Sequence, residues 1–135
     1  MLCAVGLAVL EALEGEGLVE RVGDRGPALR DELEAAVGGL DLVRRVRGRG
    51  FLLGIELVDP RDAESFMPAA REAAKLVDEL ALRHGVLVTS SHSTEDGFTG
   101  DHTLVAPAYN TSDADLAEMV ARVAAALVDV QSRLA

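Results

Sequence analysis

The chain contains 135 residues, of which 49% are hydrophobic and 27% are charged, and its formal net charge is −10. This length and apolar content predict a single globular domain over residues 1–135. The acidic charge opposes attraction to phosphate backbones and to anionic membranes, so we expect neither nucleic acid nor a membrane as a partner.

Residues 2–22 have the apolar spacing of a helix, and the first ten residues are apolar nearly throughout. We expect this helix to be buried on most sides, with a kink near Gly15 and Gly17, because each glycine costs a helix about 1 kcal/mol relative to alanine. Cys3 lies among the apolar residues, so we predict a packed thiol; one cysteine excludes an internal disulfide. Chain termini normally lie at the surface, so a buried start suggests a piece of a longer protein.

The apolar start is too short to span a bilayer, and no basic residues precede it as they would in a signal peptide. We therefore expect a cytoplasmic protein. A second amphipathic helix is predicted to begin near Pro27 and to end at Gly38-Gly39, with Leu29, Leu33 and Val37 on its apolar face.

The segment of residues 44–58 joins four arginines and three glycines to an apolar run. Phe51, Leu53, Ile55 and Leu57 share one face at period two, which predicts a strand with one buried face. Gly48 and Gly50 predict a corner between two strands, where backbone without a Cβ can take a positive φ or approach another segment closely. The third glycine lies one residue too late for a dinucleotide-binding loop, so a nucleotide site is not expected.

The remaining elements follow from apolar spacing and from proline and glycine. Residues 59–66 are predicted to be a polar connection, and a third helix to begin near Pro68 and end at His84-Gly85. Short strands are expected at residues 86–88 and 103–106, separated by a polar loop over residues 89–101. The last helix begins after Ser112, because Asp115 follows three residues later. This order predicts an α+β fold, with a small antiparallel or mixed sheet of about four strands and helices on one face.

Three kinds of catalytic or metal site are considered and set aside. His92, Asp96, Asp101 and His102 resemble metal ligands in type but lack the spacing that fixes a metal's geometry, so we expect no metal. No G-x-S-x-G turn presents Ser90, Ser91 or Ser93 as a nucleophile. Lys75, the only lysine, lies between charged residues on the third helix and is interpreted as an exposed residue that forms ion pairs.

Three blocks of this sequence resemble the small C-terminal domain of the class III aminotransferases, which depend on pyridoxal phosphate. Residues 2–22 resemble the long helix that follows the family's cofactor domain. Residues 46–57 resemble its glycine-corner strand pair, the most specific of the three. The third block joins Gly100-Asp101, residues 104–107 and residues 112–116, which resemble the closing strand, its proline and the final helix.

The resemblance implies that the Schiff-base lysine and the cofactor-binding residues lie in a large domain upstream, and that Lys75 is not that lysine. It assigns no catalytic, cofactor-binding or metal residue to this chain. The full-length parent would bind pyridoxal phosphate, exchange amino groups between an amine or amino acid and a keto acid, and form a homo-oligomer, usually a dimer. The chain alone would be inactive and would bind no cofactor.

The substrate-pocket edge implied by the resemblance contains Leu104 and Pro107. Many members of the family have an arginine at the place of Leu104, where it binds a substrate carboxylate, and an apolar side chain cannot form that pair. The alternative hypothesis is a stand-alone α+β binding or interaction domain without catalysis. A third class, an independent metal- or nucleotide-dependent enzyme, would require tight binding of such a ligand by the purified chain.

Overall fold

The structure is a computed structural model that describes residues 2–91 and 100–135. Within these ranges the helices are α1 (Leu2–Gly15), α2 (Leu18–Val37), α3 (Ala73–Arg83) and α4 (Asp113–Leu134), with a 3-10 helix at Ala69–Arg71. The strands are β1 (Val43–Arg49), β2 (Leu52–Asp59), β3 (Asp62–Phe66), β4 (Thr89–Ser91) and β5 (His102–Val105). The predicted α+β class is confirmed. Among the described helices, none combines the length and the apolar character that crossing a membrane requires.

The strands form one antiparallel sheet. Its order is β1-β2-β5-β4, and β3 pairs with the far end of β2. Every pairing is antiparallel, as expected for strands that alternate a covered and an uncovered face. The central strand β2 therefore holds the sheet together.

One face of the sheet is buried beneath α2, α3 and α4. Leu53, Ile55 and Leu57 of β2 are at most 1% exposed and share a core with side chains of these three helices. The period-two pattern predicted this face, and burial of each large apolar side chain contributes about 1.5–3 kcal/mol. The opposite face, called here the open face, carries Arg45 and Arg47 of β1, Leu52, Gly54 and Glu56 of β2, and Leu104 of β5.

The last helix begins as predicted. Ser112 is its N-cap, and the Ser112 hydroxyl accepts a hydrogen bond from the Asp115 backbone N–H at 3.2 Å. Such a cap satisfies one of the amide groups that a helix start leaves unpaired. Along this helix Leu116, Val120, Val123, Ala126, Leu127, Val130 and Leu134 are buried, and Met119 is half-buried.

The predicted end of the second helix at Gly38-Gly39 is confirmed, because α2 ends at Val37 with Gly38 as its C-cap, but the predicted boundary between the first two helices is wrong. Gly17 has φ 61°, a left-handed conformation that separates α1 from α2, so residues 2–22 do not form one helix. Pro27 does not start a helix but lies inside α2. The hydrogen bond it cannot donate would have reached the carbonyl of Gly23, an exposed residue, and the buried Leu29, Leu33 and Val37 hold the helix in place.

The expected burial of the first helix is also wrong for the described chain. Val5, Leu7, Val9 and Leu10 are each more than half exposed, and Cys3 is exposed rather than packed. The reason is that, among the described elements, α1 makes its main contacts with α2 and not with the sheet. Within residues 2–91 and 100–135, no element covers its apolar surface.

Three further predictions, two about strands and one about the start of the third helix, also need correction. Residues 59–66 contain β3, although its sequence shows no alternation, because β3 is formed by pairing with the end of β2. Residues 86–88 form no strand; β4 lies three residues later, where Thr89 pairs with Leu104. The 3-10 helix follows Pro68, and α3 begins only at Ala73. Most of the predicted polar loop lies outside the described residues.

Candidate functional site

The predicted glycine corner is a tight hairpin turn. Arg49 pairs with Leu52, so Gly50 and Phe51 form a two-residue loop between β1 and β2. Gly50 has φ 59° and Phe51 is not among the residues with positive φ, which is the pattern of a type II′ turn with glycine first. Gly48 has φ 133°, and a Cβ there would lie 2.1 Å from the Leu52 carbonyl oxygen. Both glycines are therefore required by backbone geometry.

The corner also packs closely against α2. A Cβ added to Gly26 would lie 2.5 Å from the Cα of Gly50, and one added to Gly50 would lie 2.7 Å from Cγ1 of Val22. Direct backbone contact between a helix and a turn leaves no space for a phosphate. The corner positions the hairpin on α2 and does not form a ligand loop.

Leu104, the predicted pocket-edge residue, lies half-buried on the open face. It pairs with Gly54 on one side and with Thr89 on the other. Gly54 in turn pairs with Arg47, so Arg47, Gly54, Leu104 and Thr89 form one row across four strands. A Cβ added to Gly54 would lie 3.9 Å from Cγ of Arg47, so the Arg47 side chain lies beside the position where Gly54 has none.

The charges next to this row are paired with one another. Arg45 donates to both oxygens of Glu56, at 2.7 and 3.0 Å, and Nε of Arg47 lies 2.6 Å from Glu56 Oε1. The hydrogen bond from Arg45 is the main cause that holds the pKa of Glu56 below its ordinary value, and partial burial opposes it. Two arginines share one carboxylate, so this part of the open face is cationic in an acidic chain.

Pro107, the second predicted pocket-edge residue, is half-buried and lies two residues beyond β5. It belongs to the segment of residues 106–111, which joins β5 to the N-cap of α4. In the same segment, the ring of Tyr109 meets the ring of Phe51 edge to face, with centroids 6.4 Å apart. Leu104 and Pro107 thus lie along one stretch of chain, next to the hairpin corner.

Two arginines of α2 hold the end of this segment. Arg21 donates through Nη2 to the Thr111 carbonyl oxygen at 2.6 Å and to the Asp113 carboxylate at 3.3 Å. Arg25 donates through Nε to Asp113 at 3.1 Å and through Nη2 to Glu32 at 2.8 Å. The bond from Arg25 is the largest cause that lowers the pKa of Asp113, and the bond to Glu32 is the largest that raises the pKa of Arg25.

The other residues considered from sequence do not form a site within the described chain. Lys75 is exposed as predicted, with 61% of its side chain accessible and Glu72 4.0 Å away. Asp101 is buried and His102 half-buried, and no group of three or more potential metal ligands occurs among the described residues. Ser90 and Ser91 belong to β4, whereas His92, Ser93 and Asp96 lie outside the described residues.

The pairs around Glu56 and Asp113 were missed from sequence. Placing the turn at Gly50-Phe51 would have matched Arg45 with Glu56 across the hairpin, so a signal existed for that pair. Arg21 and Thr111 are separated by 90 residues and belong to different elements. No local pattern in the sequence could have found that contact.

The comparison with known proteins identifies the class of protein that this fold defines. The family model of the class III aminotransferases matches residues 1–127. An uncharacterized aminotransferase of Schizosaccharomyces pombe is 32% identical over 118 residues, which cover 87% of this chain and 26% of that protein. The chain therefore belongs to the class III aminotransferases.

Solved structures agree with this assignment. An (S)-enantioselective omega-transaminase from Thermomicrobium roseum superposes with a TM-score of 0.79 at 30% identity, over 95% of this chain and 27% of that one. An amine transaminase from an uncultivated Pseudomonas species, solved in its PLP-bound form, gives a TM-score of 0.74 at 27% identity, over 98% and 27%. The chain thus spans only about a quarter of the length of the relatives it matches.

Proposed function

We propose that this chain is the small C-terminal domain of a pyridoxal-phosphate-dependent transaminase and that it closes one side of the substrate pocket. The whole enzyme would move an amino group between an amine or amino acid and a keto acid. The observation that carries the proposal is the position of Leu104. It lies half-buried opposite Gly54, on the sheet face that the described helices leave uncovered, while α2, α3 and α4 cover the other face.

The residues of this chain do not fit the cofactor by themselves. Class III aminotransferases depend on pyridoxal phosphate, which requires a lysine that is desolvated or set beside other cations. Lys75 has neither property, because it is mostly exposed and lies next to Glu72. The proposal therefore places the Schiff-base lysine and the phosphate site in the three quarters of the enzyme outside this chain.

The exposed apolar surface of α1 is evidence for a further protein layer that packs against it. A helix that is apolar on nearly every side is normally buried on every side. Here Val5, Leu7, Val9 and Leu10 are exposed, so α1 offers a contact surface that the described chain leaves uncovered. We propose that the large domain covers it, and that the complete enzyme is a homo-oligomer in the cytoplasm.

Leu104 also bears on the choice of substrate. An apolar side chain cannot bind a carboxylate, so the proposed pocket favours an amine without an α-carboxylate at this position. Arg47, in the same row, already pairs through Nε with Glu56.

The proposal is tested by expressing the reading frame extended upstream of Met1. We expect a lysine-bearing domain, an absorbance band from bound cofactor and amino transfer to a keto acid. In that enzyme Leu104→Arg should raise activity with donors bearing an α-carboxylate relative to plain amines, whereas Leu82→Arg, on the exposed side of α3, should not. An upstream region without such a domain would favour the stand-alone binding domain.

A further inference from the structure

Helix α2 contacts two different parts of the proposed pocket edge through neighbouring stripes. Val22 and Gly26, four residues apart, lie beneath the hairpin corner. Arg21 and Arg25 each lie one residue earlier. Arg21 reaches Thr111 at the end of the segment of residues 106–111, and both arginines reach Asp113 just beyond it. Residues four apart share a helix face, so the two members of each pair contact the same neighbouring part of the chain. The helix thus supports the corner and the segment at the same time.

The segment depends on such support because no strand pairs with it among the described residues. Within it, the Thr111 N–H donates to the Ala108 carbonyl at 3.0 Å and closes a turn. Tyr109 is 45% exposed and rests against the buried Phe51. At its end, Arg21 donates to the Thr111 carbonyl oxygen, and Arg21 and Arg25 both hold Asp113 two residues further on.

The two arginines are themselves fixed in place. Arg25 lies between Asp113 and Glu32 and keeps only 18% of its side chain exposed. Arg21 joins a backbone carbonyl to the same Asp113 oxygen that Arg25 contacts. Planar guanidinium groups held at two points are more restricted than a lysine would be. Asp113 is the first residue of α4, so the contacts tie α2 to the start of that helix.

We propose that Arg21 and Arg25 are positioning residues, which hold the segment of residues 106–111 against α2 and thereby fix where Pro107 and Tyr109 lie at the pocket edge. The role of this edge in catalysis rests on the proposed function. The positioning itself is a property of this chain and can be measured without cofactor or substrate.

Tyr109 makes the test specific, because it is the only tyrosine and the chain has no tryptophan. Tyrosine fluorescence of the purified chain therefore reports on this segment alone. In the double variant Arg21→Gln/Arg25→Gln, acrylamide should quench the tyrosine fluorescence more strongly, and the fluorescence anisotropy should fall. The increase in quenching should be at most about twofold, because Tyr109 is already 45% exposed. Arg30→Gln is the matched control, since Arg30 is exposed on the same helix and has no ion pair within the described chain.

Far-UV circular dichroism establishes that each variant is folded. If the double variant does not fold, Asp113→Asn, which removes the shared carboxylate charge and keeps an acceptor oxygen, should raise quenching to a smaller extent. Unchanged quenching and anisotropy in a folded double variant, or in Asp113→Asn where only that variant folds, would overturn the proposal. Neither the quenching nor the anisotropy measurement uses pyridoxal phosphate. A failure of the positioning proposal is therefore distinguishable from an inactive extended enzyme.

Discussion

Gly26 of α2 and Gly50 of the β1–β2 turn lie in direct backbone contact, so close that a Cβ on Gly26 would stand 2.5 Å from the Cα of Gly50. Backbone atoms cannot rotate away as a flexible side chain can. The helix and the turn would have to separate to admit even a methyl group. This contact sets the position of the hairpin, and through it that of Phe51 and its partner Tyr109.

Gly26→Ala should lower the free energy of unfolding by roughly 1–3 kcal/mol, because overpacking at a backbone contact forces the structure to shift. Urea unfolding followed by far-UV circular dichroism measures this value. Gly23→Ala is the matched control on the same helix, since no atom lies within 4 Å of its added Cβ. That change should stabilise the chain by up to about 1 kcal/mol through helix propensity. Equal effects of the two substitutions would contradict the close contact.

Thr103 offers a test of the core. Its side chain is fully buried between the sheet and helices α3 and α4, and its hydroxyl has no hydrogen-bond partner in the part of the chain that the structure describes. Thr103→Val keeps the shape and removes the unpaired group, so it should raise the free energy of unfolding by roughly 1–2 kcal/mol. Thr89→Val, at an exposed site on the neighbouring strand, should change it by less than about 0.5 kcal/mol. A destabilised Thr103→Val would show that the hydroxyl is bonded.

Asp59 predicts how stability depends on pH. It lies at the end of β2, and Arg61 donates to it through Nε at 2.9 Å and Nη2 at 2.6 Å. The hydrogen bonds from Arg61 hold the pKa of Asp59 below its ordinary value. Below about pH 4 the unfolded chain therefore binds a proton at this group before the folded chain does, so the contribution to stability is present above that pH and is lost as the pH falls.

Asp59→Asn should accordingly reduce the loss of stability between neutral pH and about pH 3, measured by urea unfolding at each pH. Arg61→Gln should reduce it by a smaller amount, because this change removes the side-chain hydrogen bonds to Asp59 and keeps the one from the backbone N–H of residue 61. The effects of the two changes should not add in the double variant. Additive effects would mean that Arg61 is not the cause.

The surface of α1 should govern how the purified chain associates. Val9→Glu and Leu10→Glu should each reduce hydrophobic-dye binding or self-association without lowering the free energy of unfolding, because both side chains are more than half exposed. Sedimentation velocity and dye fluorescence provide the measurements. Leu87→Glu, at an isolated site that is 84% exposed, is the control and should have little effect on either. A wild-type chain that is strictly monomeric and binds no dye would contradict the prediction.

Addition of pyridoxal phosphate to the 135-residue chain should produce no stoichiometric internal-aldimine absorbance band. The reason is that Lys75 is 61% exposed beside Glu72, whereas a Schiff-base lysine is desolvated or set beside other cations. Lys75→Ala should leave the spectrum unchanged. A stoichiometric band that disappears in Lys75→Ala would show that this lysine binds the cofactor.

The sequence was informative where one local pattern decides the structure. The alternation after Gly50 predicted the buried face of β2, and Ser112 with Asp115 predicted the start of α4. The helix start predicted at Pro27 was wrong because tertiary packing of Leu29 and Leu33 outweighs the local cost of a proline within a helix. The strand β3 was missed because its extended structure comes from pairing with the end of β2 and not from a pattern in its own sequence.

The two parts of the proposed site also differ in whether a local sequence pattern could predict them. Leu104 was placed by resemblance to the family's closing strand, and the period-two spacing of β5 then gives it a face. Arg21 and Arg25 act across about 90 positions of sequence, and only the folded chain brings them to Thr111 and Asp113. Contacts of this range leave no periodic signal, whatever their importance.

The uncovered surfaces of this chain place two opposite demands on any protein layer that covers them. Burying α1 requires an apolar counterpart, since Val5 and Val9 offer no hydrogen bonds. Burying the open face requires acceptors, because Arg45 and Arg47 share the single carboxylate of Glu56 and their remaining donors would otherwise lose water without replacement. A covering polypeptide must therefore combine an apolar groove with an acidic or carbonyl-rich patch, and this pair of surfaces is what a search for such a polypeptide should look for.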